Sequence, residues 1–516
     1  MYQEWEEKRR TVEIADIEEL MPKDHLLRKI DATVDFSFIY ELVRGLYSEK
    51  QGRPSVDPVV LVKMVLIQHL YGIRSLRQTV KEIEVNIAYR WFLHLNLSTP
   101  IPHFATVSYN FRNRFTEEIV ETIFEKILEI AINRGFVDAE AVFIDSTHFK
   151  AAVNTKRKQK VLAEKTAKIY TEQLRKEVNE DRKAHGKKEY PDDKDDPEGK
   201  TGGEKQEVIK SPTDPDAGLF RKGEHKTVFA YEAHTVCDKN NFILDVEVSA
   251  GNVHDSIPFD PLYERVTAKF PEIKYICADS AYKTPWICKK VFDDRRILSS
   301  AYKAPSGKKG FFRPYEYVYD EYYDCVLCPE NQVLRYVTTT KEGKRQFKSN
   351  PDTCVYCPSR SRCTQSRECC KVVEKHIWAD YLERAEDIRH SDIGKWIYSL
   401  RSQTIERIFA DAKEKHGMRY TQHRGIRAVT AWVKLKYTAM NLKKLATWSF
   451  ARGFLCCFQA LSDCLYFFFA SLKKPCILCV KAYSLWNNPV HLRVLCIYRS
   501  WQKTAGINFG SFVRKL

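Results

Sequence analysis

The alternation of apolar and polar positions divides the chain into a helical beginning, a mixed middle and a helical return. Asp57 and Pro58 supply a cap and a first-turn proline, and VVLVKMVLIQHLYG runs from there to a stopping Gly72. That run is apolar nearly all round, which predicts a buried helix. RSLRQTVKEI and AYRWFLHL follow as short amphipathic pieces. Residues 116–134 place Ile119, Val120, Ile123, Phe124, Ile127, Leu128 and Ala131 at helical spacing, with acids in the first turn and Gly135 at the end. AVFID then reads as a short buried strand ending in Asp145.

From 156 to 222 charge, Gly and Pro replace apolar residues, which predicts a helical start and then a flexible surface insertion. TVFAYEAHTVCD and FILDVEVSA, separated by KNN, carry a hairpin pattern. PFDPLYERVTAKF reads as a helix, KYICAD as a strand and PWICKKVFDD as a helix, so residues 140–300 form a mixed α/β core. The expected boundaries are a helical N-terminal domain (1–135), the first part of the core (136–305), a cysteine-rich insertion (306–375), a helical remainder of the core (376–449) and an atypical tail (450–516). The tail holds six cysteines, an FFF run and nine basic residues against the single Asp463. FLCCFQALSDCLYFFFASL approaches the length of a membrane span, but Asp463 and Gln459 in its interior argue against one.

Composition narrows the class. The 516 residues are 44% hydrophobic and 29% charged, enough apolar material for sizeable cores in two to four domains. A net charge of +16 favours a polyanionic partner. Arg74, Arg77, Arg112 and Arg114 lie among aromatic residues on the short N-terminal helices and are the candidate DNA contacts, in a helix-turn-helix-like arrangement. A helical dimerisation or support module fits the same pattern. The first residues are charged and lack an apolar signal core, so a cytoplasmic, nucleoid-associated protein with reduced cysteines is expected.

Three acids carry the candidate chemistry. Asp145 and Asp279 follow strand patterns, where an aspartate alone more often makes a turn or cap. Glu406 lies in SQTIERIFADAKEKHG, where Ile405, Ile408, Phe409 and Ala412 form a packing stripe. Lys413, two turns on, shares the face of Glu406 and can place an ammonium beside a phosphate. A solvated face is the plain alternative. Asp255 reads as a loop or helix cap, and His148 as a packed or surface neighbour.

The strings GRPSVDPVVLVKMVLIQHLYGIRSLRQ, FIDSTHFKA, GNVHDSIPF, ADSAY and ERIFADAKEKHGMRY, in this order over residues 1–447, resemble DDE transposases of bacterial insertion sequences. The resemblance is to the branch with a helical N-terminal domain and a cysteine-bearing insertion. It implies an α/β fold: an RNase H-like mixed-sheet catalytic core, an all-α N-terminal domain and a small zinc-ribbon-like insertion. It also implies a triad of Asp145, Asp279 and Glu406, with Lys413 at the family's spacing. Tyr398 and Arg401 match the upstream Tyr–Arg pair, but four residues instead of three separate Arg401 from Glu406, so the pair falls out of register. Mg²⁺, or Mn²⁺, suits such carboxylates because it prefers hard oxygen ligands, and two ions activate the nucleophile and neutralise the leaving oxygen. Asp145 is expected to bridge both ions, Asp279 to bind one and Glu406 the other.

Seven of the sixteen cysteines fall within 325–370. Cys325-x-x-Cys328 and Cys354-x-x-Cys357, separated by β-patterned segments, match a structural four-thiolate Zn²⁺ site, with Cys363 as a substitute for one ligand. The leading expectation is an enzyme that cleaves DNA at its element's terminal inverted repeats and joins it to target DNA, as a dimer when active and without a membrane partner. The alternatives are a metal-dependent nuclease without strand transfer and a non-catalytic DNA-binding remnant.

Overall fold

Asp57 caps the helix Pro58–Leu70, its carboxylate accepting from the backbone N–H of Val59 at 2.7 Å and of Val60 at 3.4 Å. Pro58 fits the first turn, where its missing N–H would have had no intrahelical partner. Every residue from Leu61 to Leu70 is buried, as the unbroken apolar run requires. Lys63 within it is satisfied by Asp31 (2.8 Å) and the Phe92 carbonyl (3.0 Å). The helix Glu117–Asn133 buries all seven predicted stripe residues and ends before Gly135, whose φ is +66°.

The computed structural model describes residues 16–48, 54–154, 157–164, 170–191, 205–222, 226–302 and 307–471. The chain divides into two units, Met1–Thr447 and Trp448–Leu516. No helix among the described residues is long and apolar enough to cross a membrane. The tail beyond residue 471 lies outside the described residues.

The strands up to residue 300 are β1 (Ala141–Lys150), β2 (Gln159–Glu164), β3 (Lys205–Lys210), β4 (Gly218–Lys222), β5 (Lys226–Asp238), β6 (Ile243–Ala250), β7 (Tyr275–Ala278) and β8 (Ile297–Ser300). The central sheet runs β4-β5-β1-β7-β8, with β6 also paired to β5. β1 is antiparallel to β5 and parallel to β7, and β8 is parallel to β7. β5 is long enough to hold β4 along its first residues and β6 along the rest. The predicted hairpin is therefore real, and its turn includes Asn241 at φ +63°.

Two expectations change. Asp145 does not end its strand: β1 continues to Lys150, because Thr147 and Phe149 still face a buried side and β5 offers partners throughout. The stretch 156–222, expected as a helical start and then a flexible surface insertion, does contain a helix and adds strands that the sequence does not announce. It holds the antiparallel pair β2–β3, the edge strand β4 and, in sequence between β2 and β3, the helix Thr171–Ala184, whose Leu174 and Val178 enter the main core. Two apolar residues one turn apart suffice to dock an otherwise charged helix.

A second sheet of β9 (Val318–Asp320), β10 (Cys325–Leu327), β11 (Val333–Thr339), β12 (Lys344–Lys348) and β13 (Val372–His376) is antiparallel throughout, in the order β13-β12-β11-β10-β9. Its small core is Tyr317, Val326, Leu334 and Phe347.

The helix Ile405–Glu414 packs on β1 and β5 through Ile405, Ile408, Phe409 and Ala412. The segment after it ties three parts together. His416 Nδ1 bonds the His69 carbonyl at 2.8 Å, Lys436 donates to the His416 carbonyl, and Lys150 exchanges backbone hydrogen bonds with Arg419 and Thr421. The N-terminal helix, the end of β1 and the Glu406 helix are thus held in one frame.

Candidate active site

Parallel pairing sets the first two acids side by side. Ile144 on β1 is in register with Ala278 on β7, and Asp145 and Asp279 are the next residue on each chain. Side chains at matched positions of adjacent parallel strands share a face. One cation spans them. Arg401 donates through Nη2 to Asp145 Oδ2 and through Nη1 to Asp279 Oδ1 at 3.4 Å. The same Nη1 reaches the Tyr398 hydroxyl at 3.4 Å, while the buried Nε makes no hydrogen bond among the described residues.

Burial pushes the Asp145 carboxyl up, and the Arg401 guanidinium and the Ser146 N–H, at 2.8 Å, offset this only in part. Burial would lower Arg401, but the charges of Asp145 and Asp279 outweigh it and hold the guanidinium firmly protonated.

Glu406 stands exposed in the first turn of the helix Ile405–Glu414. Cys277, on β7 two residues before Asp279, feels the charge of all three acids. Burial first, and then the charges of Asp145, Asp279 and Glu406 against that of Arg401, push its thiol up to about 12. Lys413 lies two turns along the helix, half-buried.

Behind Asp145 stands a group that the sequence reading missed. Glu232 and His234 project from β5, and Asp255 precedes the helix Ser256–Lys269. Their ligand atoms lie within 4.8 Å of one another. Ser146 Oγ donates to Glu232 Oε1 at 2.6 Å. His234 Nδ1 bonds the Tyr282 hydroxyl at 2.9 Å and lies 3.6 Å from Asp255 Oδ1. Burial brings His234 down to about 3, so it is neutral, and holds Glu232 up at about 8, with Asp255 and Asp145 adding to the effect. Burial also raises Asp255. Asp255 stands at the N-cap of that helix, in keeping with the loop or cap position expected of it, but its side chain makes no capping bond and its buried Oδ1 has no hydrogen-bond partner among the described residues. His148 stacks on Phe220 at 3.7 Å and places Nδ1 3.2 Å from Glu232 Oε1.

One signal for this group was available. Glu232 and His234 are two apart in an otherwise apolar run, which puts both on one face of a buried strand. The sequence expectation puts Arg401 out of register because its spacing to Glu406 is one residue too long. The 3-10 turn Leu400–Gln403 and a kink at Thr404 (φ −109°, ψ −100°) take up that residue and return the guanidinium to the acids.

The four N-terminal arginines separate. Arg74, Arg77 and Arg112 are exposed. Arg77, on the helix Leu76–Val85, lies over the Phe104 ring at 4.6 Å. Arg114 is half-buried over Tyr47 and bonds Asn110 Oδ1 at 3.1 Å, a packing role inside the helical region. The candidate thiolates separate too. Cys328, Cys354 and Cys357 line one cavity together with Cys363, whereas Cys325 lies outside it.

Asp145 and Asp279 present carboxylate oxygens, the hard donors a divalent ion prefers, and Arg401 now bridges them; among the described residues the group of three ligand side chains within 4.8 Å of one another is Glu232, His234 and Asp255, and Glu406 does not join the two aspartates in such a group.

Two family models match stretches of the chain. The Transposase domain (DUF772) model matches residues 15–114, and the Transposase DDE domain model matches residues 327–446. Both matches are to transposase domains, and together they support a DDE transposase of an insertion sequence. No curated protein matches it. The first match covers the helical N-terminal region. The DDE match contains Cys328, Arg401, Glu406 and Lys413, while Asp145 and Asp279 lie outside both matched stretches. The DDE domain implies an RNase H-like fold and use of a divalent metal, and the mixed sheet and helical N-terminal region accord with the former.

Proposed function

We propose that this transposase cleaves DNA at the ends of its element and joins the freed ends to target DNA, with Asp145, Asp279 and Glu406 as ligands of catalytic Mg²⁺ or Mn²⁺. The observation that carries the reading is the juxtaposition of Asp145 and Asp279 by the β1–β7 register, with Arg401 between them. Bound metal ions would activate a water or 3′-hydroxyl and neutralise the leaving oxygen.

The protein's own groups do the rest. Arg401 keeps two neighbouring carboxylates compatible until positive charge replaces its own. Lys413, on the face of Glu406, contributes an ammonium to the DNA backbone. Arg74, Arg77 and Arg112 add exposed positive charge on the helical region, making binding salt-sensitive. Arg114, committed to Tyr47 and Asn110, supports that surface from within. Holding two element ends together calls for at least a dimer.

The test mixes purified protein with labelled element ends, a target plasmid and Mg²⁺, beside a Glu406→Gln variant. Joined products that vanish in the variant support the reading. Cleavage without joining would identify a nuclease, and binding without cleavage a DNA-binding remnant; either overturns the proposal.

A further inference from the structure

Glu232, His234 and Asp255 form a compact donor set that the proposed reaction does not use. Glu232 and His234, two residues apart on β5, face the same side of the strand. Asp255 meets them from the N-terminus of the helix Ser256–Lys269. One ligand atom from each of the three lies within 4.8 Å of the other two. Donors bound to one ion at about 2.1 Å stand roughly 3–4 Å apart, so only slight closure is needed to hold one.

The hydrogen bonds around the set call for a cation. Asp255 Oδ1 is buried and accepts no hydrogen bond among the described residues, and a carboxylate oxygen away from water is costly unless a donor or an ion meets it. Facing it at 3.6 Å is His234 Nδ1. Ser249 Oγ donates to the Ala250 carbonyl at 3.4 Å, so it accepts the proton of His234 Nε2 at 2.9 Å. The neutral ring thus keeps its proton on Nε2 and leaves the Nδ1 lone pair to the Tyr282 hydroxyl at 2.9 Å. Two acceptors, Nδ1 and Asp255 Oδ1, therefore face each other with no hydrogen bond between them. Glu232 is held from its far side, where Oε1 accepts from Ser146 Oγ at 2.6 Å and lies 3.2 Å from His148 Nδ1. Outer contacts of this kind orient metal ligands.

We propose that Glu232, His234 and Asp255 bind a divalent transition-metal ion such as Mn²⁺, separate from the ions assigned to Asp145, Asp279 and Glu406. Two carboxylates with one imidazole suit an ion that accepts both oxygen and nitrogen, which excludes Mg²⁺ as the preferred occupant. The ion takes the Nδ1 lone pair from the Tyr282 hydroxyl and gives Asp255 Oδ1 the partner it lacks. The metal-free protein keeps a proton on Glu232, and the ion displaces it. Once bound, the ion ties β5 to the loop before the helix Ser256–Lys269. Through the hydrogen bond from Ser146 to Glu232 it also braces the strand segment that carries Asp145.

The test is a Mn²⁺ titration of metal-stripped, full-length protein without a histidine tag, followed by pulsed electron paramagnetic resonance. A directly bound imidazole gives the Mn²⁺ signal a nitrogen modulation, which carboxylate ligands cannot. The modulation is expected in wild type and should persist in the double variant Asp279→Asn, Glu406→Gln, which weakens the ions of the proposed reaction. His234→Gln should abolish it, and Asp255→Asn should weaken the nitrogen-coupled Mn²⁺ by about tenfold or more. Loss of the buried imidazole can unfold the sheet by itself; the Asp255 variant, altered at the partly exposed edge of the set, then decides. A folded wild type without nitrogen modulation, modulation that survives His234→Gln or vanishes in the double variant, or unchanged Mn²⁺ affinity in Asp255→Asn would each overturn the proposal. No DNA enters the measurement, so its failure is distinguishable from failure of the joining reaction.

Discussion

Arg401 holds Asp145 through a charged hydrogen bond inside the protein, both side chains being nearly buried, and the same guanidinium reaches Asp279. A cation thus occupies the ground between the two acids that the proposed reaction assigns to metal ions. Removing one partner from a buried ion pair leaves an uncompensated charge, at a cost of about 3–5 kcal/mol.

Arg401→Gln is therefore expected to lower the thermal midpoint in metal-free buffer by several degrees. It should also enlarge the midpoint rise that Mn²⁺ produces, because the ion takes over a neutralising role the variant lacks. Arg401→Lys should recover only part of the loss, since a point charge cannot span both carboxylates as the planar fork does. Thermal melts with and without Mn²⁺ check this. Equal metal-induced shifts in variant and wild type would show that the guanidinium and the ion do not share the site.

Glu232 gives a pH signature. Burial raises its folded value to about 8 against an ordinary 4.5. The folded state therefore holds a proton that the unfolded chain releases, and stability falls as pH rises from 4.5 to 8, beyond which the penalty is complete. Glu232→Gln keeps the neutral shape and can still accept from Ser146. The variant should melt close to wild type at pH 5 and above it at pH 8, the gap widening between. Because Glu232 and Asp255 interact, the curve belongs to the pair. Parallel melting profiles from pH 5 to 8 would refute a protonated Glu232.

What could be read in advance depended on whether local pattern or remote contact decided the outcome. The helix Pro58–Leu70 and the stripe of Ile405–Glu414 were legible because a cap, a proline and an apolar period act within a few residues. The β1–β7 register that joins Asp145 to Asp279 was not, since it links residues 134 apart in sequence. Arg401 was lost to a spacing argument that assumes a continuous helix, where the chain makes a 3-10 turn. In the charged stretch 156–222 a helix is legible but its docking is not, because its anchors, Leu174 and Val178, are too few to register against its charge.

The joint between the helical region and the Glu406 helix yields the last prediction. Gly72 has φ +64°, and a Cβ built there would meet the Lys415 carbonyl oxygen at 2.6 Å. Gly135 has nearly the same φ, +66°, with nothing within 4 Å. Alanine at either position incurs the left-handed cost of roughly 1–2 kcal/mol. At Gly72 it must also displace backbone adjoining His416, whose ring bonds the His69 carbonyl and whose own carbonyl accepts from Lys436. Gly72→Ala should thus lower the thermal midpoint clearly more than Gly135→Ala. It should also weaken DNA joining, because the segment it pushes follows directly on the helix bearing Glu406 and Lys413. Gly135→Ala should lose stability alone. If the two variants melt together and join DNA equally well, the close approach of Gly72 to Lys415 does not position the Glu406 helix.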